Sequence, residues 1–319
     1  MRILILGGSG FVGRVLASTA VAAGHRVTVF NRGRRDPVPG AETLLGDRLA
    51  PGGLAALRTG TWDQVIDTWS AEASAVGTAA ALLAGRAGHL VYVSSRSVYR
   101  FPATGVLDET APLVDPGDPG YAGDKLRGER AAEAFGGAVL LARAGLILGP
   151  HEDVGRLPWW LDRLRRGGPT LAPGPRDLPL QYIDVRDLAE FVLGAVGVTG
   201  AVNVVGPSGH TTMGELLQTA AAITGGRAEL RWTDPEPILA AGVQPWTDLP
   251  IWLPPGELHD FLHRGDVGTA LAAGLRCRPV AETVADTWAW LSALPGPARR
   301  RADRPAVGLS PQIEAELLA

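Results

Sequence analysis

Through Ala144 the chain alternates between two patterns. Apolar runs at RILILG, RVTVF, QVIDTW, HLVYVSS and AVLLARA carry little polar alternation. Strands covered on both faces read this way, whereas half-exposed strands alternate. A shorter strand is expected at ETLLG. Between the runs, Ala-rich segments predict helices over Phe11–Ala23, Glu72–Arg86 and Tyr121–Phe135. Strand, helix and strand repeated with right-handed crossovers make a doubly wound parallel α/β sheet. After Pro150 the pattern changes. LPWWLDRL, LAPGPRDLPL and QPWTDLPIWLPPG are rich in Pro and Trp, and short helices are expected over Val185–Val196 and Met213–Thr224. Residues 1–150 are therefore expected to form the dinucleotide-binding domain, rejoined by parts of 180–205. Residues 151–295 form a smaller substrate lobe at the edge where such sheets bind ligands. The last stretch, 296–319, contains ARRRADRP and is expected to be a solvated tail.

Composition narrows the function classes. With 319 residues and 46% hydrophobic positions there is ample core. A formal net charge of −3 gives no support to a general polyanion surface, so no nucleic-acid partner is expected. One cysteine, Cys277, excludes an intramolecular disulfide and a cysteine metal cluster. No apolar run approaches the roughly 18–20 residues of a membrane span. Met1 leads directly into a strand pattern rather than a secretory leader, and the expected compartment is the cytoplasm.

The stretch LGGSGFVG places Gly7, Gly10 and Gly13 between the first strand and the first helix. Such a loop needs glycine for a tight turn, for close approach of backbone to a pyrophosphate, and for helix–strand packing. The helix N-terminus, Phe11 and Val12 included, then offers N–H groups to phosphate. About twenty residues on, NAD sites present an acid to the ribose 2′-hydroxyl. Here the residue is Asn31, followed by Arg32, Arg34 and Arg35. Arginine holds phosphate through paired, charge-assisted bonds, so the pattern points to the 2′-phosphate of NADP(H), with Arg32 favoured, Arg35 next and Arg34 facing solvent. The plainer reading is a solvated loop. Asp47, in GDR with Arg48, is placed either to accept from the adenine amino group or to cap a turn. Trp69 ends a strand beside the pyrophosphate path, and Thr68 and Ser94 complete the candidate cofactor set.

YAGDK sets Tyr121 and Lys125 four apart at the start of a predicted helix, on one face. A phenol is a poor acid–base group at neutral pH until a nearby ammonium stabilises its anion. The glycine spacing, Ser95, Tyr121 and Lys125, with RAGLILGP and QYIDVRDLA, resemble the extended short-chain dehydrogenase/reductases, the NAD(P)-dependent epimerase/dehydratase family, over nearly the whole chain. The resemblance implies a Rossmann sheet. It also implies Ser95, four before Tyr99, as hydrogen-bond donor to the substrate oxygen, Tyr121 as proton donor or acceptor, and Lys125 as ribose ligand. FNRGR and VIDTW resemble a divergent branch related to chloroplast stem-loop RNA-binding proteins, which generally lack the intact tyrosine–lysine pair kept here.

The chain also departs from the family pattern. Ala144 stands where the family usually has proline. Arg96 and Ser97 replace the acidic pair of its dehydratases, and Asn31-Arg32 replaces the acid of its sugar epimerases. Reduction of a ketone or aldehyde, or oxidation of the alcohol, is the expected chemistry. The alternatives are a nucleotide-sugar epimerase with retained NAD, and a non-catalytic NADP-sensing or RNA-binding protein. Arg96, His151, Trp159 and Tyr182 are the substrate-side candidates. His259 and His263 have a metal-compatible spacing but no evident third ligand, so no metal is expected. A monomer or homodimer is expected.

Overall fold

The structure, a computed structural model, describes residues 1–103 and 105–319. In chain order the elements begin with β1 (Arg2–Leu6), α1 (Phe11–Ala22), β2 (Arg26–Asn31), β3 (Glu42–Leu45), β4 (Trp62–Asp67) and α2 (Ala73–Leu83). Then come β5 (Ala87–Ser95), α3 (Tyr121–Ala132), β6 (Ala138–Ala144), β7 (Leu146–Leu148), α4 (Arg156–Arg166) and β8 (Gly168–Pro173). β9 (Pro179–Leu180), β10 (Tyr182–Asp184), α5 (Val185–Gly194), β11 (Gly200–Val204), β12 (Thr211–Thr212) and α6 (Met213–Ile223) follow. The chain closes with β13 (Ala228–Thr233), α7 (Pro235–Ala240), α8 (Glu257–His263), α9 (Gly268–Ala272), α10 (Val280–Ser292) and α11 (Pro311–Leu318).

Two compact units result. One contains Met1–Gly145, Val185–Val205 and Asp266–Arg276; the other contains Leu146–Asp184, Gly206–Gly265 and Cys277–Ala319. The first holds a seven-stranded sheet in the order β11-β6-β5-β4-β1-β2-β3, parallel throughout. The doubly wound sheet expected from the apolar runs is present. Its strands are buried as continuous runs demand: Ile3, Leu4, Ile5, Val65, Ile66, Val91 and Leu140 have no exposed surface. The order reverses between β1 and β4, so the connections leaving these strands diverge and open a crevice at their carboxyl ends. Gly7 follows β1 and Thr68 follows β4, at that crevice.

The second unit has its own core, with Trp160, Leu161, Tyr182, Leu217 and Trp252 among its buried residues. Buried indole N–H groups find backbone carbonyls, Trp160 on Pro250 at 2.7 Å and Trp252 on Gly174 at 2.9 Å. β8 pairs in parallel with β13. Residues 296–319 differ from the solvated tail expected of an Arg- and Pro-rich stretch. They end in α11, whose Glu314 accepts from Arg163 Nε at 2.7 Å and from Leu171 N at 3.1 Å. The physical reason is that a buried arginine on α4 needs a carboxylate, and the one it uses lies far along the chain. Among the described residues no helix is long and apolar enough to cross a membrane.

Candidate functional site

Glycine chemistry builds the first wall of the crevice. Gly7 has φ of 98°, a left-handed conformation, and a Cβ there would meet Thr68 Oγ1 at 2.5 Å. A Cβ on Gly13 would lie 2.8 Å from the Gly7 carbonyl, so α1 packs directly on the loop. At Gly10 a Cβ would meet only Arg35 Nη1, at 3.8 Å. Gly10 is also the N-cap of α1, and no side chain caps that helix. Uncapped N–H groups at a helix start can donate to an anion such as a phosphate.

The second wall is the segment after β2. Asn31 accepts the Gly33 N–H at 2.7 Å and so closes its own turn. Arg32 and Arg34 are exposed. Arg35, half-buried, lies across the glycine loop and donates to the Ser9 carbonyl at 3.2 Å. Asp47 accepts from Leu49 N at 3.1 Å, which is the turn-capping alternative. Arg48 is placed differently from its expected role as a cofactor contact. Its guanidinium makes two 2.6 Å bonds to Asp67 and stacks 5.1 Å from the Trp69 ring, and the ion-paired side chains are 4% and 2% exposed. The buried carboxylate at the end of β4 takes the arginine that phosphate would otherwise have.

Below the crevice lie the hydroxyl and amine groups. Ser95 ends β5 and caps the following turn, its Oγ accepting from Ser97 N and donating to Ser97 Oγ, both at 3.1 Å. Tyr121 is the first residue of α3, after Gly120 at φ 84°. Lys125, one turn on, is 3% exposed and donates to the backbone carbonyls of Trp69 at 2.8 Å and Val93 at 2.7 Å. Trp69 and Thr68 thus serve the loop with backbone and hydroxyl groups, Thr68 Oγ1 donating to Leu6 O at 3.0 Å. Ser94 corrects another expectation. It is 3% exposed, and its hydroxyl is taken up by Glu129 Oε1 at 2.5 Å.

That bond belongs to a buried network the sequence reading missed. Arg143 on β6 pairs with both Glu129 oxygens, at 3.0 and 2.9 Å, and donates to Tyr99 Oη at 3.2 Å, while Tyr99 donates to Asn203 at 2.7 Å. The available signals were an arginine inside an apolar strand and a glutamate one turn past Lys125. Burial and the Glu129 carboxylate act oppositely on Arg143, and the net shift is upward, so it stays charged. Arg96, 5% exposed, is pulled down to about 10 by burial, with Tyr99 and Glu109 opposing.

The remaining candidates lie in the second unit. His151, at φ 70°, packs against Trp290 with ring centres 5.3 Å apart. Trp159 meets Trp160 edge-on at 4.7 Å. Tyr182, expected on the substrate side, is 2% exposed, because β10 buries it in the apolar cluster. His259 and His263 are held by the backbone, through Pro179 O at 2.9 Å and Gln181 N at 3.0 Å.

A family model for the NAD dependent epimerase/dehydratase family matches residues 3–206. The chain belongs to that family. Among members, a 2-alkyl-3-oxoalkanoate reductase of Stenotrophomonas maltophilia (strain K279a) is 31% identical over 216 residues, 60% of this chain and 64% of the reductase. The chain therefore matches less than two thirds of that relative's length. The human epimerase family protein SDR39U1 is 28% identical over 253 residues, covering 72% of this chain and 82% of that protein. The Bordetella bronchiseptica enzyme WbmG, solved in complex with NAD and UDP, superposes with a TM-score of 0.69 at 19% identity over 96% of this chain and 99% of WbmG. At that identity the likeness concerns the extended short-chain dehydrogenase/reductase fold.

Proposed function

We propose that the chain is an NADP(H)-dependent oxidoreductase that reduces a ketone or aldehyde, or oxidises the corresponding alcohol. The observation that carries this reading is the seat of Lys125, a buried ammonium on two backbone carbonyls, one turn after Tyr121 and beneath the end of β5 that bears Ser95. Gly10 and the uncapped start of α1 would take the pyrophosphate. Arg35, with Arg32 beside it, would take the 2′-phosphate. When bound, the nicotinamide supplies or accepts the hydride. Ser95 then donates a hydrogen bond to the substrate oxygen, Tyr121 passes it a proton, and Lys125 stabilises the phenolate and holds the nicotinamide ribose. The name of the reductase relative supports a carbonyl substrate and makes 3-oxo acids the first class to assay.

A paired titration with NADPH and NADH at fixed salt tests the cofactor. NADPH preference that falls in R35A is the expected result; equal affinity for both, unchanged in R35A, would sink the 2′-phosphate reading. Y121F should abolish most turnover and keep NADPH affinity, and wild-type turnover in Y121F would reject its proton-transfer role. Tightly retained NAD with no net turnover would favour the epimerase alternative.

A further inference from the structure

The sequence holds a single lysine, Lys125; the other basic side chains of Lys and Arg are all arginine. Its Nζ stands 4.7 Å from the centre of the Tyr92 ring. The Trp69 carbonyl that accepts from Lys125 also accepts the Tyr92 hydroxyl, at 3.1 Å. Tyr92 is therefore both the floor beneath the ammonium and the second donor to the carbonyl that holds it. The space for its phenol comes from α3 itself. A Cβ at Gly128 would lie 2.2 Å from Tyr92 Oη, so a side chain there would drive the ring out from under Lys125. Burial first, then the charges of Asp67, Tyr121 and Glu129, hold the phenol well above its ordinary range, and it stays a donor. Packing alone in this stretch of buried strand, His89 to Ser95, needs neither a hydroxyl aimed at one carbonyl nor a ring face under a cation.

We infer that Tyr92 is a positioning residue for Lys125, fixing the ammonium where it meets the cofactor; this rests on the proposed role of Lys125 as ribose ligand.

The lone lysine makes the test site-specific. Protein labelled with 13C-lysine gives one lysine side-chain signal, followed while NADPH is added. In the wild type that signal is shielded by the ring and moves with NADPH. Y92L should lose the shielding and bind NADPH about threefold or more weakly, on the scale of a lost cation–π contact. Y92F, which keeps the ring, should retain the signal and most of the affinity. In a K125M background Y92L should cost nothing further, because a positioning effect needs the lysine, whereas a general structural defect would cost the same in both. Equal cost in both backgrounds, or unchanged affinity in Y92L, overturns the proposal. If Y92L does not fold, pentafluorophenylalanine at position 92 keeps the shape and reverses the ring's charge distribution; affinity equal to Y92F would likewise overturn it. A wild-type lysine signal indifferent to NADPH, with K125M binding as tightly as wild type, removes the ribose-ligand role and this proposal with it. A responsive wild-type lysine with an inert Tyr92 removes only the proposal.

Discussion

Replacing Arg48 with methionine separates a structural ion pair from a cofactor contact. In the wild type the Asp67 carboxylate is 2% exposed and takes two 2.6 Å bonds from Arg48 and one from Trp69 N at 2.9 Å. R48M strands this buried carboxylate, a change that typically costs about 3–5 kcal/mol. The Ala75 carbonyl, which accepts from Arg48 at 2.7 Å, loses its donor as well, adding about 1 kcal/mol. Against a typical total of about 5–15 kcal/mol the loss is large. For a unit of this size it corresponds to a fall in Tm of roughly 8–24 °C, read by calorimetry. Replacing both partners by apolar residues, as in R48M with D67L, should recover much of the loss, because no buried charge is then left alone. An R48M protein that melts within about 1 °C of wild type but binds dinucleotide poorly would refute the reasoning, since it would make Arg48 a ligand contact after all.

Three further outcomes are expected. G10A should keep wild-type stability to within about 1 kcal/mol, because its backbone is extended and its Cβ enters open space, yet it should cut dinucleotide affinity by about tenfold or more. G13A should instead lower Tm, its Cβ colliding with the Gly7 carbonyl at a cost of about 1–3 kcal/mol; equal effects of the two on stability would contradict the loop assignment. Glu152, 1% exposed at the start of α4, is raised to about 7 by burial, even though it accepts from Arg156 N and Leu157 N. A carboxyl raised above its unfolded value favours the folded state while protonated. Stability should therefore fall as pH rises from about 4.5 to 7, by up to about 3 kcal/mol, and E152Q should flatten that slope in urea melts at pH 5 and pH 8. Parallel slopes for the two proteins would rule Glu152 out.

What could be read from the sequence was what is local in it. The glycine spacing, the apolar runs and the Tyr121–Lys125 pair each lie within one loop, strand or turn, so their geometry follows from helical or strand period. The ion pairs were not readable in this way. Arg48 and Asp67 meet across β1's neighbours only after the strands find register, and Ser94, Glu129 and Arg143 come from β5, α3 and β6. Before the sheet forms, an arginine such as Arg48 looks the same whether it will face a phosphate or a carboxylate. Tyr182 was misplaced for a related reason, since an aromatic in a short strand gives no hint of which side the core lies on. The tail misled through composition: four arginines and two prolines near residue 300 obscured a helix anchored by Glu314.

The Glu314–Arg163 latch has a consequence for synthesis. Arg163 leaves the ribosome some 151 residues before its partner. Until then a guanidinium destined for the interior must remain in water, with α4 and β8 unable to settle around it. The sheet unit also takes late segments, its edge strand β11 and Asp266–Arg276. Domains commonly fold in turn as they emerge, the N-terminal one first. In this chain both units draw on late segments, and the second has the Arg163–Glu314 pair only once α11 has been made.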